Sequence, residues 1–217
     1  MTITAAADGS ALGNPGPAGW AWYVDDSCWA AGGWPESTNN RGELTAVLEL
    51  LRATARSGQG EELLIQCDSQ YVINSLTKWR HGWKRRGWRK ADGRPVLNDD
   101  LMRELDAALT GRAVRFEWVR GHVGHPMNEA ADSRARAAAT AYQQGRAVPA
   151  GPGWTRWPSG TGGQGVAPSA PGAGTIGAAS SAGSAGADAG QAGVAEVVPG
   201  ATAARRARLR QEGGTLF

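Results

Sequence analysis

The amino-acid sequence predicts an α/β fold in which a mixed β-sheet is flanked by helices. Three segments near the N-terminus, TITAAAD, WAWYVDD and SCWAAGGWP, have strand-like composition and are separated by turns. Two later apolar segments, ELLIQCD and AVRFEWVRG, alternate with helical patterns. The predicted order is therefore β-β-β-α-β-α-α-α-β-α, which is typical of a five-stranded sheet with three antiparallel strands followed by parallel ones.

Turn signals place the first three strands. The first strand is expected to end at Asp8, where the glycine-rich segment GSALGNPGPAG begins. The second and third strands are expected to be antiparallel and joined by a turn near Asp26 and Ser27.

A long amphipathic helix is predicted in STNNRGELTAVLELLRATARSG. Its apolar residues recur at the i, i+3, i+4 and i+7 spacing of one helical face, formed by Leu44, Val47, Leu48 and Leu51. The helix has three candidate N-terminal caps and an expected stop at Gly58; the caps are Thr38, Asn39 and Asn40.

Four further helical segments complete the predicted fold. SQYVINSLTKWR has Ser69 as its cap, and a second short helix is expected after a break at Gly82. DDLMRELDAALTG is amphipathic, and HPMNEAADSRARAAATAYQQG is an alanine-rich helix that Gly145 ends.

Composition divides the chain of 217 residues into three parts. Residues 1–147 have the mixture of a folded domain, whereas residues 148–204 are rich in glycine, alanine, serine and proline. A segment with few large apolar residues cannot bury enough surface to offset the entropy of ordering, so we expect a disordered linker. Residues 205–217 form a basic tail that ends in Leu216 and Phe217.

Bulk properties exclude several classes of protein. The two cysteines, Cys28 and Cys67, lack CxxC spacing, so we expect neither a disulfide framework nor a zinc site, and a reducing cytoplasm fits. The N-terminus lacks the basic and apolar regions of a signal peptide, and no apolar run is long enough to span a membrane. The net charge of +3 is only mildly basic, so the placement of the charge matters more than its sum.

Four carboxylates lie at positions where a layered α/β fold can bring them together. Asp8 and Asp68 end predicted strands, Glu43 lies in the first turns of the long helix, and Asp132 lies in the last helix. Each has a simpler interpretation when taken alone, such as a helix cap, a charge at a helix N-terminus or a solvated surface residue. As a cluster without cysteine or paired histidine ligands, they suit the oxygen-binding cations Mg²⁺ and Mn²⁺.

Five segments of the chain then match a known family in order and at close to its spacing. They are ADGSALGNPGPAGW, TNNRGELTAVLELL, CDSQYV, WKRRGWRKADGRPVLNDDL and EWVRGHVGHPMNEAADSRARAAA. The chain resembles bacterial ribonuclease H of type 1 over residues 1–145. The resemblance implies a ribonuclease H-like fold and Mg²⁺-dependent hydrolysis of the RNA strand of RNA–DNA hybrids. It implies 5′-phosphate and 3′-hydroxyl ends, and a role in removing R-loops or RNA primers.

The resemblance also implies residue roles. The family's metal-binding carboxylates fall on Asp8, Glu43, Asp68 and Asp132, which would hold two Mg²⁺ ions, with Mn²⁺ as a substitute. Its catalytic loop histidine falls on His122 rather than on His125; without the resemblance, the pattern around His122 indicates only a surface loop residue. Its hybrid-contacting residues fall on Asn14, Asn39, Asn40, Gln70 and Trp79. Amides suit 2′-hydroxyls and base edges, although Asn39 and Asn40 also fit helix capping.

Residues 79–95, which we call the basic protrusion, interleave tryptophans and cations. Trp83 and Trp88 are expected to anchor the protrusion through burial, which leaves Trp79 nearest the substrate. The phosphate-binding cations are expected to be Lys84, Arg85 and Arg86.

Two other functions remain open from the sequence. One is a hybrid-binding module without catalysis, which would not require four clustered acids. The other is a related nuclease or strand transferase, which the basic protrusion argues against. We expect a monomer that does not bind membranes. The terminal sequence QEGGTLF vaguely resembles sliding-clamp docking peptides and suggests a replication-protein contact through the tail.

Overall fold

The structure, a computed structural model, describes residues 2–55, 61–121 and 123–156. Within these ranges five strands form one mixed sheet in the order β3-β2-β1-β4-β5. The strands are β1 (Thr2–Ala11), β2 (Gly16–Asp25), β3 (Cys28–Ser37), β4 (Glu62–Cys67) and β5 (Val114–Trp118). The first three strands are antiparallel, and β4 and β5 continue in parallel, which confirms the predicted fold class.

Strand β1 is longer than the sequence predicts. Its parallel pairing with β4 ends at Ala6, opposite Gln66, whereas its antiparallel pairing with β2 continues past Asp8 to Ala11. The prediction that the strand ends at Asp8 is therefore wrong, because β2 supplies backbone partners beyond that residue. Asp8 instead lies just after the point where β4 stops pairing with β1.

Helix α1 (Asn39–Ala53) carries the predicted apolar face into the core. Thr38 is its N-cap, and the Thr38 side chain accepts a hydrogen bond from the backbone N–H of Arg41 at 3.3 Å. The buried face consists of Leu44, Val47, Leu48 and Leu51, each at most 2% exposed. The helix ends at Ala53, and the expected stop at Gly58 lies outside the described residues.

The next helical segment is continuous where a break was predicted. Helix α2 (Gln70–Asn74), capped by Ser69 as predicted, passes through a π-helical turn (Ser75–Trp79) into α3 (Arg80–Arg85). Gly82 lies inside α3, and its carbonyl accepts a hydrogen bond from the backbone N–H of Arg86. The predicted break at Gly82 is wrong, because the irregularity takes the form of a π turn one turn earlier.

Helices α4 (Asp99–Leu109) and α5 (Pro126–Gln143) occupy the predicted positions. Gly145 follows α5 with a φ of 61°, a left-handed conformation that glycine adopts readily after a helix. His125 is the N-cap residue of α5, although its side chain forms no capping hydrogen bond. Among the described helices, none combines the length and the apolar composition needed to span a bilayer.

Helices α1 and α5 cover opposite faces of the sheet. On β2, Trp20 and Trp22 belong to the core cluster that contains the leucines of α1. Ala21, which lies between them, packs with Ala135 and Ala138 of α5. Because successive side chains of a strand point to opposite faces, the two clusters define the two layers of the core.

The chain continues after α5 along the edge strand β3. The backbone N–H of Ala31 donates to the carbonyl of Ala150 at 3.0 Å, and Trp29 forms an antiparallel bridge with Gly153. Trp154 is only 8% exposed and belongs to the main core cluster.

Two polar contacts extend this packing. Thr155 donates through its hydroxyl to the carbonyl of Ser27 at 3.0 Å, and Arg156 forms an ion pair with Asp25. The predicted linker begins at residue 148, so its first residues, as far as Arg156, contact β2 and β3. The rest of the linker and the basic tail, residues 157–217, lie outside the described residues.

Candidate active site

Three of the four predicted carboxylates converge at one edge of the sheet. Asp8 comes from β1, Glu43 from the second turn of α1, and Asp68 from the position directly after β4. One carboxylate oxygen from each lies within 4.8 Å of the others. Asp8 is buried, whereas Glu43 and Asp68 are half-buried, so the cluster lies at the surface of the core.

Two glycines allow α1 to approach β1 closely enough to form this cluster. A Cβ atom on Gly9 would lie 2.6 Å from the backbone carbon of Gly42, which is far closer than real side chains permit. A Cβ atom on Gly42 would in turn lie 3.2 Å from the Cα atom of Gly9. Because neither residue has a side chain, Glu43 lies next to the strand residue that precedes Gly9.

Strand β5 and the loop after it surround Asp68. Trp118, the last residue of β5, donates through its Nε1–H to the backbone carbonyl of Asp68 at 3.0 Å. A Cβ atom on Gly121 would overlap the Asp68 carboxylate, so the loop backbone passes directly beside that group. The hydrogen bond from Trp118 therefore helps to hold the backbone of Asp68 at the end of β4.

The cluster is strongly unfavourable for negative charge. Burial raises the pKa of Asp8 to about 8, and the neighbouring charges of Asp68, Asp132 and Glu43 contribute to this rise. Burial also raises the pKa of Glu43 to about 7, with Asp68 again adding to the effect. A divalent cation would relieve both the desolvation and the mutual repulsion.

The available hydrogen bonds do not satisfy the cluster. Asp8 accepts a hydrogen bond from the backbone N–H of Gly9 at 2.7 Å, and Glu43 accepts one through Oε1 from Asn39 at 2.7 Å. Glu43 Oε2 is buried and has no hydrogen-bond partner in the described part of the chain. A buried carboxylate oxygen of this kind fits a cation ligand, and carboxylates are the ligands that hard divalent cations prefer.

The two remaining predicted catalytic residues are Asp132 and His122. Asp132 is half-buried in α5 and is close enough for its charge to raise the pKa of Asp8, but it does not belong to the group of three. His122 lies outside the described residues.

A cysteine also lies next to the cluster. Burial, followed by the nearby carboxylates, raises the pKa of Cys67 to about 12. Its thiol is protonated at neutral pH, which excludes Cys67 as a thiolate nucleophile there.

The predicted substrate-binding amides differ in their exposure. Asn14, Asn40 and Gln70 are exposed, whereas Asn39 is half-buried. Asn14 accepts a hydrogen bond from the backbone N–H of Asn39 at 3.3 Å, and Asn39 donates to Glu43. Asn39 thus links the loop after β1 to the carboxylate cluster, a contact that the sequence does not reveal.

The tryptophans of the basic protrusion divide as predicted. Trp83 and Trp88 are 9% and 7% exposed and belong to the main core cluster, whereas Trp79 is 42% exposed. The ring centroids of Trp79 and Trp83 are 5.6 Å apart, so the exposed indole rests on a buried one. The predicted anchoring role of Trp83 and Trp88 through burial is confirmed.

The cations of the protrusion are not equivalent. Lys84 binds the buried carboxylate of Asp106 at 2.6 Å, and Arg80 binds the other oxygen of the same carboxylate at 2.6 Å. Arg85 and Arg86 are exposed, and neither forms an ion pair with a carboxylate of the described ranges. All three predicted cations are exposed, and Lys84 differs from Arg85 and Arg86 in its ion pair with Asp106, a contact that the sequence does not reveal.

Fold and site together define a class: an α/β protein whose sheet edge gathers three carboxylates suited to a divalent cation. The RNase H family model matches residues 1–140 of the chain. The Ribonuclease H of Tropheryma whipplei (strain Twist) is 57% identical over 153 residues, which cover 70% of this chain and 94% of that protein. The Ribonuclease H of Paracoccus denitrificans (strain Pd 1222) is 44% identical over 147 residues, which cover 64% of this chain and 93% of that protein.

A solved structure agrees with these relatives. The crystal structure of a type 1 RNase H with the type 2 active-site motif has a TM-score of 0.55 and 32% sequence identity, covering 70% of this chain and 77% of that one. The chain therefore belongs to the ribonuclease H family of enzymes.

Proposed function

We propose that this protein hydrolyses the RNA strand of RNA–DNA hybrids at the carboxylate cluster. The observation that carries the proposal is the convergence of Asp8, Glu43 and Asp68, whose carboxylate oxygens lie within 4.8 Å of one another. Binding alone does not require buried like charges, because clustering them costs free energy unless a cation compensates. Family membership supports the same reaction.

The four carboxylates act as the ligands of divalent cations, for which we propose two Mg²⁺ ions. Bound there, such ions supply the charge that activates a water molecule and stabilises the leaving 3′-oxygen, giving 5′-phosphate and 3′-hydroxyl ends. Asp8, Glu43 and Asp68 form the inner set, and Asp132 contributes from α5. Asn39 orients Glu43 through its hydrogen bond, which leaves Oε2 of Glu43 free to act as a ligand.

Substrate recognition divides between amides and cations. Asn14, Asn39, Asn40 and Gln70 suit the 2′-hydroxyls and base edges of a minor groove, which distinguish RNA from DNA. The protrusion supplies Trp79 and the phosphate-binding cations, among which Arg85 and Arg86 act directly. We propose that Lys84 contributes less, since an ion pair with Asp106 already holds its ammonium group.

Further parts of the proposal rest on the sequence: the family resemblance supports the role of His122 and the natural substrates, the cysteine usage supports the location, and the terminal QEGGTLF supports the contact of the tail. His122 assists proton transfer or product release, the natural substrates are R-loops or RNA primers, and the protein acts in the cytoplasm as a monomer. The C-terminal tail contacts a replication protein such as the sliding clamp. Recovery of clamp with the full chain and with a chain lacking the last seven residues tests that contact, and equal recovery would refute it.

A labelled hybrid tests the activity. The chain is incubated with Mg²⁺ and an RNA–DNA hybrid, beside single-stranded RNA and duplex DNA of the same sequence. We expect cleavage of the RNA strand of the hybrid alone, and no cleavage when a chelator replaces Mg²⁺. Equal cleavage of all three substrates would contradict the proposal.

Two variants locate the activity. Asp8→Asn removes a charge from the cluster and should abolish cleavage. Asp26→Asn removes the same charge from the exposed turn between β2 and β3, where the side chain is 89% exposed, and should cleave normally. Undiminished cleavage by Asp8→Asn would show that the reaction occurs elsewhere.

A further inference from the structure

Trp118 is a large apolar side chain left half exposed beside the carboxylate cluster. Its exposed fraction is 50%. Its Nε1–H donates to the backbone carbonyl of Asp68 at 3.0 Å, and the carboxylate of Asp68 belongs to the cluster. The indole thus contacts the backbone of the same residue whose carboxylate belongs to the cluster.

The register of the sheet fixes this position. Trp118 lies opposite Cys67 in the parallel pairing of β4 and β5, and the backbone N–H of Val119 donates to the carbonyl of Cys67 at 3.1 Å. Trp118 thus pairs with the residue that precedes Asp68, at the carboxyl end of two parallel strands. The sheet therefore places the backbone of Trp118, and the hydrogen bond to the Asp68 carbonyl holds its indole at the edge of the site.

A hydrogen bond to Asp68 does not explain why half of the indole remains in water. Tryptophan gains more free energy from burial than almost any other side chain. The chain buries Trp83 and Trp88 to 9% and 7% exposure where they anchor the protrusion. An exposed indole that is held by a hydrogen bond beside the carboxylate cluster fits a role in contacting a ligand with an apolar face.

We propose that Trp118 is a substrate-binding residue that packs against a ribose of the RNA strand next to the reacting phosphate. The inference rests on the proposed function. Nucleotides of one strand are spaced about 3.4 Å apart along a duplex axis, so the sugars that flank a phosphate at the cluster lie close to Trp118. The RNA strand displays its sugars on a wide, shallow minor groove, where an indole can pack against their C–H faces.

Two substitutions separate ring contact from hydrogen bonding. Trp118→Phe keeps an aromatic face but has no N–H to donate to Asp68. Trp118→Gln keeps an N–H donor but loses the ring. We expect Trp118→Gln to raise KM for the hybrid about ten-fold and Trp118→Phe to raise it less than about three-fold, with kcat of both variants within about two-fold of the parent.

Binding without cleavage supplies the second readout. Both substitutions are also placed in an Asp8→Asn background, and the Kd for a labelled hybrid is measured by fluorescence anisotropy with Mg²⁺ present. The same order of effects is expected, and thermal melts identify any variant that loses its fold. If Trp118→Gln does not fold, the Trp118→Phe comparison is repeated with Trp118→Leu, which removes the aromatic face and keeps an apolar side chain.

Other outcomes overturn the proposal. A loss of kcat in Trp118→Phe with unchanged KM would mean that Trp118 acts through the position of Asp68. Unchanged KM and Kd in both variants would mean that it contacts no substrate. Failure of the parent chain to cleave hybrids would instead refute the proposed function, so the two failures are distinguishable.

Discussion

The carboxylate cluster and the basic protrusion both concentrate like charges, but they do so in opposite ways. The cluster is buried at Asp8 and half-buried at Glu43 and Asp68, and desolvation and repulsion raise the pKa of Asp8 to about 8. The protrusion keeps Arg85 and Arg86 exposed to water and pairs Lys84 with Asp106. Buried like charges are costly and indicate chemistry, whereas exposed like charges cost little and indicate affinity for a polyanion.

Removing a charge from the cluster should have the largest effect on turnover. We expect Asp68→Asn to lower kcat about 1,000-fold while KM for the hybrid changes less than about three-fold, because the residue serves the reaction rather than affinity. Steady-state kinetics with a labelled hybrid measures both constants. A rise in KM with kcat intact would place Asp68 among the binding residues.

The same cluster should make the cation-free protein less stable as the pH rises. Asp8 keeps a proton in the folded chain, with its pKa raised to about 8, whereas the unfolded chain releases it near the ordinary pKa of 3.8. The ionisation of Asp8 therefore lowers the free energy of unfolding between these two pH values, by at most about 1.4 kcal/mol per pH unit from this group alone. Asp8→Asn has no ionisable group at this position. The difference between its free energy of unfolding and that of the parent should therefore grow over this range.

Urea unfolding in the presence of a chelator at pH 5, 6 and 7 measures this difference. Asp26→Asn is the control, since it makes the same substitution at a side chain that is 89% exposed and outside the cluster. If the free energy of unfolding of Asp8→Asn exceeded that of the parent by the same amount at all three pH values, ionisation of Asp8 would not destabilise the folded state.

Removing cations from the protrusion should affect binding and spare turnover. We expect Arg85→Ala with Arg86→Ala to raise KM about ten-fold and to flatten the dependence of log KM on log salt by about 0.9 for each phosphate that is no longer neutralised. Kinetics at several salt concentrations measures both effects. A collapse of kcat at saturating hybrid would mean that the protrusion, not the cluster, holds the reacting phosphate.

The smallest effect is expected at Lys84. Because its ammonium group already binds Asp106 at 2.6 Å, Lys84→Ala should raise KM less than Arg85→Ala does. Matched single variants assayed at one salt concentration make the comparison. An equal or greater effect for Lys84→Ala would show that its ion pair opens when the hybrid binds.

Local patterns in the sequence predict much of the fold. The spacing of Leu44, Val47, Leu48 and Leu51 identifies the buried face of α1, and Ser69 marks the start of α2, because each signal lies within a few residues along the chain. The family resemblance adds the positions of the carboxylates, which strand and helix patterns alone leave open to simpler interpretations.

Contacts between distant segments are what the sequence does not reveal. Strand β1 extends past Asp8 only because β2 pairs with it, and Lys84 is ion-paired only because Asp106 of α4 lies beside α3. The sequence does not identify Trp118 as a candidate site residue, because its closeness to Asp68 depends on the register of β4 and β5. These features require the three-dimensional arrangement of elements.

The segment that runs along β3 has a consequence for self-association. An exposed edge strand offers unpaired N–H and carbonyl groups to strands of other molecules. Here Ala150 and Gly153 occupy part of that edge from within the same chain, while the opposite edge, β5, presents the exposed charges of Arg115 and Glu117. A chain shortened to residue 147 would lose the segment that pairs with β3, and we expect it to aggregate by pairing of the exposed β3 edges.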